Sequence, residues 1–202
     1  MFHDLDATLA ALLAGELALS GVSVSFASPD DQFPPSNVVL PAVAFFLYDV
    51  RENADLRSTL WDSEQRADGV VTRTRPPVRV DCSYLITAWP GDAAPDPARD
   101  EHRLLGEVLK VLLRHRRIPE QYLRGELIGQ EPPVPTRIVG EGQLQSMGEF
   151  WQAMGGKPKA TLHYGVTLSV AVAEPVEVGP EVTEHVTSLS LIGSGSTVEQ
   201  RS

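Results

Sequence analysis

Apolar and polar positions alternate most strictly over residues 160–173, ATLHYGVTLSVAVA, where Ala160, Leu162, Tyr164, Val166, Leu168, Val170 and Val172 take every second place. Strand side chains point alternately to two faces, so this spacing predicts a long strand. Its even-numbered residues face a core, with Thr161, His163, Thr167 and Ser169 opposite. A second long strand is predicted where Val78, Val80, Cys82, Tyr84, Ile86 and Ala88 alternate with Arg79, Asp81, Ser83 and Thr87. Residues 41–50, PAVAFFLYDV, are apolar at nearly every position, which suits an interior strand covered on both faces. Val22, Val24 and Phe26 alternate with serines and predict a short strand.

Helical spacing appears in three places. Leu5, Leu9, Leu12, Leu13 and Leu17 share one face, with Asp4 as the expected cap and Ser20-Gly21 as the stop. Leu104, Leu105, Val108, Leu109, Leu112 and Leu113 form a second apolar stripe on a helix expected to begin near Asp100. Its end carries Arg114-His115-Arg116-Arg117, read as cations in the last turn interacting with the helix dipole. Ser146-Met147-Gly148-Glu149 has the capping-box pattern, with Phe150, Trp151 and Met154 as the apolar face and Gly155-Gly156 as the stop.

Two segments break the periodicity. Residues 51–75 are mostly charged or polar around an isolated Trp61, an excursion that is either a solvated hairpin or a contact surface. After Glu174 the chain is rich in Val, Thr, Ser, Gly and Glu, which predicts an extended arm. The expected organisation is one domain over residues 1–173 and an arm over 174–202. The prolines of residues 131–142 confine any strand there to a sheet edge.

Composition narrows the partners. A formal charge of −10 over 202 residues offers no basic surface for nucleic acid. The apolar run at residues 9–19 contains Glu16 and is too short to cross a bilayer, so neither a membrane nor a leader is expected and synthesis in the cytoplasm is. The single cysteine, Cys82, falls on the apolar side of a strand and excludes an internal disulfide.

The search for chemistry finds no catalytic, cofactor or metal pattern. The five histidines are scattered without a second ligand at helix spacing. Gly155-Gly156-Lys157 lacks the other residues of a phosphate loop. A buried Cys82 would carry a raised, unreactive thiol, and Glu101-His102 are neighbours on a helix that do not face one another. An enzyme of unrecognised type is the alternative that a deep polar pocket would favour.

Four stretches in order carry a family resemblance: residues 45–53, FFLYDVREN; Pro76-Pro77 leading to residues 84–89, YLITAW; residues 101–106, EHRLLG; and residues 150–156, FWQAMGG, with Leu162-His163-Tyr164. Together they resemble the tail-terminator or cap proteins of phage-tail-like contractile injection systems, over about residues 5–172. The resemblance implies an α+β fold, with a mixed, mainly antiparallel sheet and helices packed on it. It also implies a non-enzymatic structural cap, a homohexameric ring ending the inner tube and the contractile sheath of a particle assembled in the cytoplasm and released with it. A tail-completion or adaptor protein of the same kind of particle is the alternative. A closed ring needs a heterologous interface, one patch meeting a different patch of the next subunit. The interface candidates are Arg51, Asn53, Arg57 and Trp61 in the excursion, and His163 on the polar face of the last long strand; the arm is expected to cross to a neighbour.

Overall fold

The computed structural model describes residues 1–18, 20–30, 32–65, 70–138, 147–180, 186–190 and 197–201, from residue 179 onward as backbone only. In chain order the elements are α1 (Phe2–Glu16), β1 (Ser23–Ser25), β2 (Ala42–Glu52), β3 (Asp62–Gln65), β4 (Val70–Thr74), β5 (Val78–Trp89), α2 (Pro97–Arg114), β6 (Thr136–Ile138), α3 (Met147–Ala153), β7 (Leu162–Val170), β8 (Val176–Pro180), β9 (Val186–Ser190) and β10 (Thr197–Arg201). They form two compact units, each discontinuous in sequence: Met1–Arg57 with Val78–Val170, and Ser58–Pro77 with Ala171–Ser202.

The first unit is built on a five-stranded sheet in the order β1-β2-β5-β7-β6. Only the β1–β2 pair is parallel; β2–β5, β5–β7 and β7–β6 are antiparallel. The register aligns Cys82 with Val166 and Tyr84 with Tyr164 on one face, and Asp81 with Thr167 on the other. The first face carries the core. Leu5, Leu9, Leu12 and Leu13 of α1 and Leu104, Val108 and Leu112 of α2 pack with Phe45, Tyr84, Val166 and Leu168. The buried Tyr84 hydroxyl donates to Asp6 at 2.9 Å, which supplies the partner that burial of a phenol requires.

Several local expectations shift for physical reasons. Helix α1 begins at Phe2, so Asp4 lies inside the first turn, paired with the N-terminal ammonium at 2.9 Å instead of capping from outside. Helix α2 begins at Pro97 because Asp96 caps it and proline fits the first helical position. It ends at Arg114, leaving Arg116 and Arg117 beyond it, and Arg114 meets Glu16 at 2.7 Å, an ion pair the dipole reading had not included. Strand β2 is buried from Ala42 to Phe45 but opens progressively to exposed Val50, Arg51 and Glu52, so coverage on both faces holds only for its first half. Helix α3 and the Gly155 stop, with φ +69°, are present, whereas Ser146, the expected cap, lies outside the described residues.

The second unit contains a three-stranded sheet in the order β3-β4-β8 and the antiparallel pair β9–β10. The polar excursion is therefore a hairpin of β3 and β4, and the first strand of the stretch expected as an arm pairs with β4, Thr72 opposite Glu177 and Arg73 opposite Val176.

Candidate functional site

The face of the large sheet opposite the helical core gathers polar residues around Asp81, in the middle of β5. Its Oδ1 accepts from Thr167 Oγ1 on β7 at 2.6 Å, and its Oδ2 from Asn53 Nδ2 at 3.0 Å and Arg137 Nη2 on β6 at 2.9 Å. Burial alone would raise this carboxyl, but the Arg137, Thr167 and Asn53 hydrogen bonds outweigh it and hold Asp81 below the ordinary carboxylate range. Arg51, directly opposite Asp81 in the register, turns instead to Asp49 at 2.8 Å. Two residues before Asp81, Arg79 donates from Nη1 to Ser169 Oγ on β7.

Next to this cluster the Tyr48 hydroxyl and His163 Nδ1 lie 3.3 Å apart, with their rings nearly perpendicular. Tyr48 is the extra residue of a β-bulge in β2, between Leu47 opposite Tyr84 and Asp49 opposite Ser83, which aims its side chain across the sheet. Partial burial pushes the His163 imidazole down, favouring the neutral ring.

The two long edges of this sheet are treated differently. On β7 the edge away from β5 is occupied: β6 pairs with Tyr164–Val166, Pro135 accepts from the Thr167 amide, and the Gln130 side chain bonds both backbone groups of Ser169. On β2, strand β1 pairs only with Ala42, Val43 and Ala44, and among the described residues no strand pairs with β2 beyond them on that side. The bulge at Tyr48 and the charges of Asp49, Arg51 and Glu52 blunt this open edge, as natural edge strands do against indiscriminate pairing.

In the second unit Trp61 is 45 % exposed and lies under the Arg75 guanidinium, 5.1 Å from ring centroid to Cζ. Leu60, Val172, Val176 and Val178 are also exposed. Among the described residues, every buried hydrophobic belongs to the first unit. A three-stranded sheet needs an apolar face covered by something to be stable, so the exposed valines and Trp61 mark a surface that a partner can cover.

Of the expected interface residues, the structure brings Arg51, Asn53 and His163 to one sheet face. Arg57 is exposed in an ion pair with Glu52, its Nε and Nη2 both donating to Oε1 at 2.9 and 2.6 Å. Trp61 stands in the other unit. Sequence reasoning passed over Asp81, Arg79, Arg137 and Gln130. Opposite charges two residues apart inside an otherwise apolar strand were a usable signal for the first two; Arg137 and Gln130 sit in a proline-rich stretch with no periodicity to place them.

The chemistry available is recognition. Cys82 is fully buried on the core face, where burial pushes its thiol up to about 12. Among the described residues no cluster of histidine, cysteine and carboxylates has the arrangement to hold a metal ion. A cavity of about 620 Å³ opens beside the stacked Phe33 and Trp89 rings, whose centroids are 4.3 Å apart. Its one close acid–base contact, Lys159 with Glu101, is a salt bridge laid over the Trp89 ring and leaves neither partner free to move a proton.

An antiparallel sheet with one helix-covered face and one polar face, joined to a small sheet with exposed apolar residues, defines an assembly protein of the terminator fold found in contractile injection systems. The chain belongs to the family described as the Pvc16 N-terminal domain, whose model matches residues 4–184. It is similar to the sheath/tube terminator of an extracellular contractile injection system, PVC, in the extended state, with TM-score 0.68 and 24% identity over 97% of this chain and 65% of that one. It is also similar to the tube-terminating cap of the anti-feeding prophage, with TM-score 0.59 and 27% identity over 95% of this chain and 60% of that one. The chain thus spans somewhat under two thirds of the length of these solved relatives. No curated protein matches it.

Proposed function

We propose that this protein is a structural cap, a terminator that ends both the inner tube and the contractile sheath of a phage-tail-like particle as a homohexameric ring. The observation that carries this reading is the family match over residues 4–184 together with the likeness of nearly the whole chain to two solved terminators. Its partners are the tube and sheath proteins, it performs no catalysis, and it is made in the cytoplasm and leaves the cell only within the particle.

The two units supply what such a task needs. Subunit contacts form through Arg51, Asn53 and His163 on the polar sheet face, Arg57 near its end, and Trp61 in the small sheet. The open edge of β2 accepts an extended segment from a neighbouring chain, because an unpaired strand edge offers backbone donors and acceptors to any strand laid beside it. The exposed valines of β8 and Trp61 give the second contact of a heterologous ring, in which two different patches meet. Polymerising tube and sheath proteins in the presence of the protein tests the assignment: particles should stop at shorter lengths as its concentration rises. Length distributions independent of its concentration would contradict it.

A further inference from the structure

We infer that Arg79 is an interface residue whose missing counter-charge is a carboxylate carried by a second copy of this chain. Arg79 is 7 % exposed, and a guanidinium cannot shed its proton to escape that burial. Its Nη1 reaches a neutral acceptor, the Ser169 hydroxyl, while its Nε is buried with no acceptor at all. Among the described residues no carboxylate forms an ion pair with it. Asp81, two residues along on the same face, is already committed to Thr167, Asn53 and Arg137.

A desolvated cation without an anion is costly, and it is retained where an anion arrives from elsewhere. The surface around Arg79 is short of negative charge: Arg137 and Arg51 flank it, and Asp81 and Asp49 are spoken for by hydrogen bonds within the face. The rest of the chain has the opposite balance, with a net charge of −10, so a neighbouring copy is itself the acidic partner this face fits. A bidentate carboxylate suits the planar donors of arginine, which a lysine at the same place would not reproduce. The inference rests on the ring reading of the previous subsection.

The test compares wild-type protein with Arg79→Met and Arg79→Lys, reading two quantities on the full chain: the thermal unfolding midpoint of the dissociated subunit, and the self-association constant by mass photometry and sedimentation, alone and on tube ends. Methionine removes the unpaired charge while keeping the bulk, so the Arg79→Met subunit should unfold at the same or a higher temperature than wild type. Its self-association should weaken by roughly ten- to a hundredfold, the loss expected for a charge-assisted hydrogen bond, with Arg79→Lys between the two. Arg79→Met rings as stable as wild type would overturn the inference and leave the ring reading standing. Intact rings that lose their hold on tube or sheath would assign the anion to another protein and equally overturn it. A wild-type protein that stays monomeric even on tube ends would remove the ring reading, and the inference with it.

Discussion

The side-chain amide of Gln130 bonds both backbone groups of Ser169: its Nε2 donates to the Ser169 carbonyl at 2.7 Å and its Oε1 accepts from the Ser169 amide at 3.0 Å. The amide stands in for one peptide unit of an absent strand and closes the edge of β7 where β6 and Pro135 leave off. Gln130→Ala should lower stability by ~1–3 kcal/mol, since it frees one donor and one acceptor in a half-buried place. Gln130→Glu should recover little, because a carboxylate keeps an acceptor but loses the donor. Chemical denaturation of the three proteins measures this.

Asp81 ties β5 to β6, to β7 and to the end of β2, and its carboxyl is held below the ordinary range. A depressed native value means the unfolded chain binds the proton more readily, so this stability is fully present above the unfolded value near about 3.9 and is lost as pH falls through the lower native value. Wild-type stability should therefore decline on acidification below about pH 4. Asp81→Asn should be less stable at pH 7 and show a flatter acid limb. Equal acid limbs in denaturation series would remove Asp81 from this role.

His163 acts in the same direction at higher pH. Burial disfavours its charged form, so its stability contribution is complete above the unfolded value of about 6.5 and declines as pH falls from there through the native value. Replacing it with Gln should abolish the stability change between pH 7 and 5 that is specific to this ring. NMR titration of the imidazole checks the direction directly.

Gly125 adopts φ +54°, and a Cβ there would collide with the carboxylate of Asp4, which is itself engaged with the N-terminal ammonium. Gly125→Ala combines backbone strain with displacement of that ion pair and should cost ~1–3 kcal/mol. An unchanged unfolding midpoint would contradict the local geometry.

Trp61 is half exposed and touches Arg75 in a unit with no buried hydrophobic among its described residues. Trp61→Ala should leave the unfolding midpoint of the subunit within a few degrees of wild type while weakening capping of tube and sheath, the pattern of an interface anchor. A large stability loss with normal capping would instead make Trp61 a local packing residue.

The strongly periodic parts of the fold were legible in the chain. The alternation around Tyr164 and around Cys82 gave the two central strands, and the leucine spacing from Leu104 to Leu112 gave α2, because burial on one face imposes a period that needs no knowledge of the partner. The pairing of Thr72 with Glu177 was not legible: both strands are short and polar, and about a hundred residues separate them. The polar face was half visible. Thr167, Ser169 and His163 could be set on one side of a strand, but that Asn53, Thr167 and Arg137 meet at Asp81 depends on a sheet order in which sequence neighbours are not spatial neighbours. The resemblance supplied the fold class that periodicity left open, between a sheet with helices on one face and one with helices on both.

Cryo-electron microscopy of particles assembled from tube protein, sheath protein and this chain tests the central claim most directly. The account predicts a sixfold ring of this protein at one end of each particle only, in contact with both the last tube layer and the last sheath layer. Density for the protein at the opposite end, along the shaft, or nowhere on the particle would contradict it.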